Sequence, residues 1–397
     1  MSPSRNNSSI ADGHAVLADR VFDGHNWHAE AAVLIRDGRI VGLGSWREVP
    51  SDWPQTRLPV GAFLAPGFID LQVNGGGGVL LNDQPTADGM RAIARAHRRF
   101  GTTGCLPTLI TDTRVQVRAA IATARSIGGR DGVLGLHLEG PFISPQRPGV
   151  HRSDRITKPG AGDLEELCEL AGAGRSLVTL APECIPAGFV RTLASSGVRV
   201  SIGHSEAPAA VVMQAVADGA TGVTHLFNAM PPLSARAPGI IGAALAERRL
   251  TAGLIVDGIH VDPISVRAAF AAKGSDQIAL VTDAMPTVGT LLNCFELDGR
   301  TIKLADGKLT TKDGILAGAH LDMASAVRNA VRLAQLPLED ALRAASLTPA
   351  RFLGLDNERG ALVPGARADL VALTQELTVV ATWLNGSSDD VKSNWEC

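Results

Sequence analysis

Five apolar segments in the middle of the chain each lead into a residue that can bind a metal ion or carry a proton. The residues are Glu139, His204, His225, His260 and Asp283, which follow VLGLHL, VRVSIG, ATGVT, GLIVDGI and IALVT. Imidazole and carboxylate groups are common ligands of Zn²⁺, and two histidines with one glutamate form a catalytic zinc set with one open coordination position. The residue types therefore predict a catalytic metal site with an acid nearby.

These residues are far apart along the chain, so the fold must bring them together. The pattern alternates helical stretches with eight apolar segments that we predict to be strands: 68–73, 102–107, 133–138, 178–181, 198–202, 222–224, 253–256 and 278–281. Eight such units favour a (β/α)8 TIM-like barrel over a doubly wound sheet. The C-terminal strand ends of a barrel converge on the face where active sites are built, so Glu139, His204 and His225 become neighbours there as the expected metal ligands.

A single histidine after an apolar strand is more often a hydrogen-bonded structural residue than a ligand. Three such strand ends together with two acids at one edge are harder to explain by packing alone, and the set therefore favours a metal site. His137 lies two residues before Glu139, on the same side of the strand but one layer deeper. We expect it to support the site rather than bind the metal.

Composition excludes several classes of protein. The 397 residues carry a formal net charge of -3, which offers no basic surface for nucleic acid. We find no apolar run long enough to span a membrane and no secretory leader, so a cytoplasmic location is expected. Five scattered cysteines without a CxxC pair favour reduced thiols. The chain lacks tyrosine, which argues against Tyr chemistry.

The two ends of the chain are predicted to form a second, smaller unit. Short apolar runs flank the dipeptide Asp37-Gly38, which suits a two-residue hairpin, and similar runs return near the C-terminus. We expect 10–64 and 360–397 to pair into a small β-sandwich domain, with the barrel over 65–359. Three Asp-Gly pairs predict a β-hairpin insertion at about 293–316.

The ordered motifs of the chain resemble a known family. PGFIDLQVNGGGG, GTTGCLPTLIT, GLHLEGPF, HRSD, TLAPE, GHS, THLFNAM, VDGIHVD, VTDAM and PGARADLVAL occur in this order. Together they resemble N-acetylglucosamine-6-phosphate deacetylases of the amidohydrolase superfamily, from about residue 65 to 373. The resemblance implies hydrolysis of the N-acetyl group to glucosamine-6-phosphate and acetate by a metal-activated water, in amino-sugar catabolism.

The resemblance also implies roles for individual residues. Glu139, His204 and His225 match the family's metal ligands, Asp283 its general base and acid, and His151 the catalytic group near the substrate carbonyl. One divalent ion per subunit is implied, Zn²⁺ first, with Fe²⁺, Mn²⁺ and Co²⁺ as alternatives. A homodimer is implied in which Arg236 and His260 complete the neighbouring site. The substrate-binding positions that we carry over are Gln72, Gly140, His151, Asn228, Ala229, Arg236, His260, Leu316 and Gly318.

The sequence departs from related patterns at two points. Many amidohydrolases have His-x-His after the first strand, whereas this chain has Gln72-Val73-Asn74, and neutral amides are poor ligands for a second divalent ion. We therefore expect one metal rather than two. Near the final helix, Ala319 and His320 replace the small hydroxyl residues usual in the family, so an altered sugar contact is expected.

Three alternative functions follow from these observations. The nearest is an N-acetylgalactosamine-6-phosphate deacetylase or another amidohydrolase. A metal-independent retaining glycosidase also uses a barrel with two carboxylates. The third is a non-catalytic scaffold, which is disfavoured because no expected ligand is missing.

Overall fold

The predicted barrel is present. The structure, a computed structural model, describes residues 13–388. In that range eight parallel strands form the barrel sheet, and each predicted segment overlaps one of them. The strands are Phe68–Val73, Thr102–Ile110, His137–Glu139, Leu177–Leu180, Arg199–Ile202, Gly222–Val223, Thr251–Ile255 and Ile278–Val281.

The barrel closes between its first and last strands at the C-terminal end. Asp283 donates its backbone N–H to the Gln72 carbonyl over 2.9 Å. Val73 and Ala284 form a parallel bridge immediately beyond. The first and last strands are buried along their whole length, as expected for parallel strands covered on both faces. This closure brings the segments around Gln72 and Asp283 together.

Helices cover the outside of the barrel. Asp262 illustrates how one begins, since its side chain accepts the Ile264 N–H and Pro263 occupies the first helical position. The α-helices are Ala87–Arg98, Arg114–Ile127, Asp163–Cys168, Phe189–Ser195, Ala209–Ala217, Gly239–Ala246, Pro263–Lys273, Met323–Arg332, Leu338–Ala345 and Leu347–Leu353. Short 3-10 turns occur at Trp46–Glu48, Glu169–Gly172, Pro182–Cys184 and Ser275–Gln277.

Both ends of the described chain contribute to one further sheet, as expected. Asp37 and Gly38 have φ values of +51° and +72° at a two-residue hairpin turn, as the sequence predicts. The strand Phe63–Pro66 crosses the predicted boundary at residue 64, and parts of the predicted small domain, 10–12 and 389–397, lie outside the described residues. The strands are His14–Phe22, Trp27–Arg36, Arg39–Ser45, Gln55–Arg57, Phe63–Pro66, Leu370–Leu373 and Val379–Trp383.

The insertion after the eighth barrel strand is larger than one hairpin. It forms an antiparallel three-stranded sheet of Cys294–Leu297, Arg300–Ala305 and Lys308–Thr310. Two of the three Asp-Gly pairs make its turns, and the third follows the last strand. Its apolar face packs against Val150 and Met285, so the insertion supports one wall of the barrel mouth.

The run of four glycines makes a tight turn. Gly75–Gly76 pairs with Val79–Leu80, and Gly77 and Gly78 have φ values of +62° and +84°. These angles suit glycine because it lacks a β-carbon. The turn follows the first barrel strand directly.

The described residues also bear on the expectations about membrane-spanning segments and cysteine pairing. None of their helices is long and apolar enough to cross a membrane. Cys105, Cys168, Cys184 and Cys294 are unpaired in the structure, whereas Cys397 lies outside the part of the chain that it describes.

Candidate metal centre and active site

Glu139, His204 and His225 converge at the C-terminal mouth of the barrel. The His225 Nε2 atom lies 2.9 Å from Glu139 Oε1 and 3.0 Å from His204 Nε2. His204 Nε2 lies 3.3 Å from the same glutamate oxygen. Ligand atoms at 2.0–2.1 Å from a tetrahedral zinc are about 3.3 Å apart, so the spacing suits a shared cation.

The hydrogen bond made by the other ring nitrogen of His204, Nδ1, also supports a metal site. Its Nδ1 lies 2.7 Å from the Arg147 carbonyl oxygen, which can only accept a hydrogen bond. Nδ1 therefore carries the proton, and in the neutral ring Nε2 presents a lone pair to Glu139 and His225. Such a carbonyl partner commonly orients a metal-binding histidine. The donor set and its orientation thus fit a divalent cation.

Three site residues adopt unusual backbone conformations where their strands end. His204, His225 and Asp283 have φ values of +48°, +31° and +51°. A non-glycine residue in this region costs of order 1–3 kcal/mol, and such residues cluster at functional sites. The left-handed turns come two residues after the fifth, sixth and eighth barrel strands, where they redirect the side chains into the barrel mouth.

His151 adds a third imidazole to this cluster, beside those of His204 and His225. Potential ligand atoms of Glu139, His151 and His204 lie within 4.8 Å of one another, and His151 Nε2 is 3.8 Å from Glu139 Oε2. His151 Nδ1 lies 2.7 Å from the Thr111 hydroxyl oxygen. His151 can therefore act either beside the metal or as a ligand in place of His225.

The pKa values of Glu139 and Asp283 are shifted in opposite directions. Burial acts to raise the pKa of Glu139, but the close contacts with the imidazoles of His204 and His225 outweigh it and hold the pKa well below its usual value. Burial, followed by the negative charge of Glu139, raises the pKa of Asp283 to about 6. Two carboxylates with such different proton affinities suit different roles, one as a ligand and one as a proton carrier.

His137, which the sequence placed one layer deeper than Glu139, lies inside the barrel below the proposed metal ligands. His137 Nε2 is 2.8 Å from the Thr179 hydroxyl oxygen, and its Nδ1 is 3.2 Å from that of Thr108. Burial lowers the pKa of His137 to about 4, so the ring is neutral at physiological pH. Its partners are hydroxyl groups inside the barrel, in line with the expected supporting position.

A cavity of about 370 Å³ opens above the cluster. Most of the predicted substrate-binding residues line it together with the cluster: His151, Asn228, Ala229, His260, Leu316 and Gly318. His260 Nδ1 lies 2.6 Å from Asp257 Oδ2, which orients the ring. The sequence-based expectation assigned His260 to a neighbouring site, but the structure places it at the cavity of its own chain.

Three predicted substrate residues lie elsewhere. Gln72 is 2% exposed and lies behind the carboxylates rather than along the cavity wall. Gly140 has φ +88°, and a β-carbon there would lie 2.2 Å from the Thr111 hydroxyl oxygen, so its close packing explains the glycine. Arg236 is exposed and does not line the cavity of its own chain.

The departure at Ala319 and His320 does not change the cavity wall directly. Ala319 is buried and donates its backbone N–H to the Asp283 carbonyl over 2.9 Å. His320 lines a separate surface pocket and lies 2.9 Å from the Thr287 hydroxyl oxygen. The expected direct effect of His320 on the sugar contact therefore finds no support in its position.

Sequence reasoning missed three cavity residues with polar side chains, namely Asn74, Gln146 and Arg147. Asn74 was considered only as a poor metal ligand, although residues two apart on a strand share a face, which places it beside Gln72. Arg147 is the only Lys or Arg among the described residues that line the cavity, and Glu206 pairs with it. Nothing in its local sequence distinguished it from a surface arginine.

Comparisons with known proteins place the fold and the site in context. Residues 63–388 match the model of the amidohydrolase family. An N-acetylgalactosamine-6-phosphate deacetylase from Shewanella sp. (strain ANA-3) is 41% identical, with 97% of each chain covered. An N-acetylglucosamine-6-phosphate deacetylase from Haemophilus influenzae is 36% identical, over 81% of this chain and 85% of the relative.

Solved structures show the same architecture. The N-acetylglucosamine-6-phosphate deacetylase from Pasteurella multocida superposes with a TM-score of 0.91 at 33% identity, covering 95% of this chain and 99% of that one. A mutant of the Mycobacterium smegmatis enzyme in complex with N-acetyl-D-glucosamine-6-phosphate has a TM-score of 0.87 at 32% identity, with the same coverage.

Proposed function

Because the chain belongs to the amidohydrolase family, we propose that it removes the acetyl group from N-acetylglucosamine-6-phosphate. The observation that carries the proposal is the convergence of Glu139, His204 and His225 beside Asp283 in one cavity. Relatives that cover most of this chain are deacetylases of 6-phosphorylated N-acetylhexosamines. Family membership favours this activity over a metal-independent glycosidase.

Glu139, His204 and His225 would hold one divalent cation, for which we propose Zn²⁺ first and Fe²⁺, Mn²⁺ or Co²⁺ as alternatives. When bound, the cation would supply Lewis-acid polarisation and lower the pKa of a water to about 7. Gln72 and Asn74 supply amide groups where other amidohydrolases have histidines, which supports a single ion.

Asp283 carries both proton transfers of the proposed reaction, and His151 stabilises the charge that develops. The Asp283 carboxylate accepts a proton from the attacking water as the new C–O bond forms at the acetyl carbon. It returns this proton to the sugar nitrogen as the C–N bond breaks, which leaves acetate and the free amine. His151 donates a hydrogen bond to the carbonyl oxygen, where negative charge develops.

Binding of the phosphate requires more positive charge than the side chains of the described cavity wall supply. A phosphomonoester carries about -1.5 to -2 charges at pH 7, whereas Arg147 is the one Lys or Arg on the described cavity wall and is already paired with Glu206. The exposed Arg236 lies outside the cavity of its own chain. We therefore propose a homodimer in which Arg236 reaches the phosphate in the neighbouring site, while His260 contacts the sugar within its own chain.

Arg236→Ala is expected to raise KM by about 10- to 100-fold with little change in kcat. Hydrogen bonds to charged groups are worth about 1.5–3 kcal/mol, and the phosphate is remote from the reacting amide. Co-expression of Arg236→Ala chains with Asp283→Asn chains tests the arrangement, because each mixed dimer would hold one complete site. Steady-state assays of the purified mixed dimer should recover normal KM at that site.

The two variants assayed separately are the controls for the mixed dimer. If Arg236 served its own chain, the mixed dimer would have no complete site, and KM would stay high. Failure to isolate a dimer would also contradict the proposed arrangement.

The second candidate substrate is N-acetylgalactosamine-6-phosphate, because the 41% identical relative from Shewanella is a deacetylase for this epimer. Acetate release from both phosphorylated epimers tests the choice. We expect the higher kcat/KM with N-acetylglucosamine-6-phosphate, and at least about a 100-fold loss for the unphosphorylated sugar. A higher kcat/KM with the galactose epimer would establish the second candidate instead, and no acetate from either sugar would contradict the function.

A cytoplasmic location remains a proposal. The unpaired cysteines among the described residues support it, since reduced thiols persist in that compartment. The division into a barrel over 65–359 and a small domain of 10–64 with 360–397 is likewise proposed, on the separate terminal sheet and its own apolar core.

A further inference from the structure

Two side-chain amides hold one oxygen of the Asp283 carboxylate. Asn74 donates from Nδ2 to Asp283 Oδ1 over 2.6 Å, and Gln72 donates from Nε2 to the same oxygen over 3.1 Å. Gln72 also donates to Glu139 Oε1 over 3.0 Å. Both amides are buried, with exposures of 2% for Gln72 and 0% for Asn74. Water therefore cannot easily replace these donors.

The backbone of the same segment holds the backbone around Asp283. The Gln72 carbonyl accepts the Asp283 N–H, and Gly75 donates to the Ala284 carbonyl, each over 2.9 Å. Gln72 lies in the first barrel strand and Asn74 directly follows it, and both side chains reach the Asp283 carboxylate. The segment 72–75 thus contacts the acid through main chain and side chains together, and these contacts maintain its left-handed conformation at φ +51°.

Both amides donate to Oδ1 of Asp283, so the two oxygens of this carboxylate lie in different hydrogen-bonding environments. Within the described residues, no hydrogen bond involves Asp283 Oδ2. The carboxylate would otherwise turn about its Cβ–Cγ bond. It would also be repelled by Glu139, whose Oε1 shares the Gln72 amide. The neutral NH₂ group of Gln72 bridges the two acids and offsets that repulsion without adding charge.

From these contacts we propose that Gln72 and Asn74 are positioning residues that fix the Asp283 carboxylate by Oδ1 and present Oδ2 to the reacting groups. This role rests on the proposed function, in which Asp283 carries the proton. It differs from the substrate contact expected for Gln72 from the sequence, because the Gln72 amide faces the two acids. Asn74 acts in the same way from its position directly after the first barrel strand.

Removal of either donor should affect turnover rather than substrate binding. A displacement of about 1 Å in a reacting group can cost about 100-fold in rate. We expect Gln72→Leu and Asn74→Leu each to lower kcat by about 10- to 100-fold and to leave KM within about twofold. Metal content of Asn74→Leu should equal that of the wild type, because the Asn74 amide contacts Asp283 and none of the proposed metal ligands. Steady-state kinetics and metal analysis on the same preparations measure these quantities.

The isosteric Asn74→Asp variant tests the role without a change of volume. It replaces the donating NH₂ by an oxygen that repels Asp283, so the loss in kcat should be at least as large as in Asn74→Leu. Asn82→Leu is a matched control, because Asn82 is also buried and its amide binds the Ile110 carbonyl and Asp112, away from Asp283. This control should keep kcat within about threefold.

A crystal structure of Asn74→Asp provides a readout that needs no substrate. We expect the Asp283 carboxylate to turn away from its wild-type orientation, a result that is interpretable even if the proposed deacetylation fails. Unchanged kcat and an unchanged carboxylate would overturn the proposal. A rise in KM alone would assign Asn74 to substrate binding, and a loss of metal would assign it to the metal site; either result would overturn the positioning role.

Discussion

Asp283→Asn is expected to lower kcat by about 10²- to 10⁴-fold while the protein keeps its fold and its metal. General acid–base catalysis contributes about this factor, and asparagine can neither accept the proton of the water nor return it to the amine. The substitution is isosteric, and the asparagine oxygen can still accept hydrogen bonds from Gln72 and Asn74. KM should change little, since phosphate and sugar contacts lie elsewhere.

The measurement is acetate release at saturating substrate, together with the metal content and thermal unfolding of the same sample. Asp112→Asn is the matched control. Asp112 follows the second barrel strand at the same rim, is buried and pairs with Arg155 over 2.7 Å, but does not line the cavity. We expect the control to keep kcat within a few-fold. Near wild-type kcat in Asp283→Asn with metal bound would show that another group carries the proton.

His225→Ala is expected to lose the metal and to lower kcat/KM by at least about 100-fold. His225 Nε2 lies within 3.0 Å of both other proposed ligand atoms, so its removal leaves two protein ligands where catalytic zinc sites have three. Metal analysis after dialysis measures the loss, and excess Zn²⁺ should restore little activity. The vacated space should not unfold the barrel, because the neighbouring strands remain paired.

His151→Ala separates the two ligand sets that the geometry allows. If Glu139, His204 and His225 hold the ion, His151→Ala should retain the metal and lose mainly kcat through weaker stabilisation of the carbonyl charge. The opposite result, with metal lost in His151→Ala and retained in His225→Ala, would establish the set of Glu139, His151 and His204. His137→Gln serves as the control for a buried histidine, on the strand that carries Glu139, and it should retain metal because its partners are Thr108 and Thr179.

The positions of the barrel strands followed from apolar runs, because fully buried parallel strands leave a clear pattern in the sequence. The insertion was harder to predict. The Asp-Gly pairs indicated its turns, but the apolar face of the three-stranded sheet packs against Val150, which lies far away along the chain. The barrel strands could thus be predicted from local sequence, whereas the number of paired strands in the insertion could not.

The candidate site likewise contains some residues that could be predicted from the sequence and others that could not. Glu139, His204, His225 and Asp283 could be grouped from sequence because strand ends in a barrel meet at one face whatever the loops do. The role of Asn74 could not, since a lone amide after a strand has no chemical signature until Asp283 lies 2.6 Å away. His320 shows the converse: the family resemblance near the final helix suggested a sugar contact, but its side chain lies in another pocket.

The sequence by itself determined the residue types of the site and the edge of the barrel at which they meet, because alternating strands and helices impose that convergence. Only the tertiary structure decided how the groups face one another. It placed His260 in the cavity of its own chain, left Arg236 outside it, and set Gln72 between two carboxylates. These outcomes depend on loop paths and side-chain rotations, which are set by contacts between distant segments and leave no periodic pattern in the sequence.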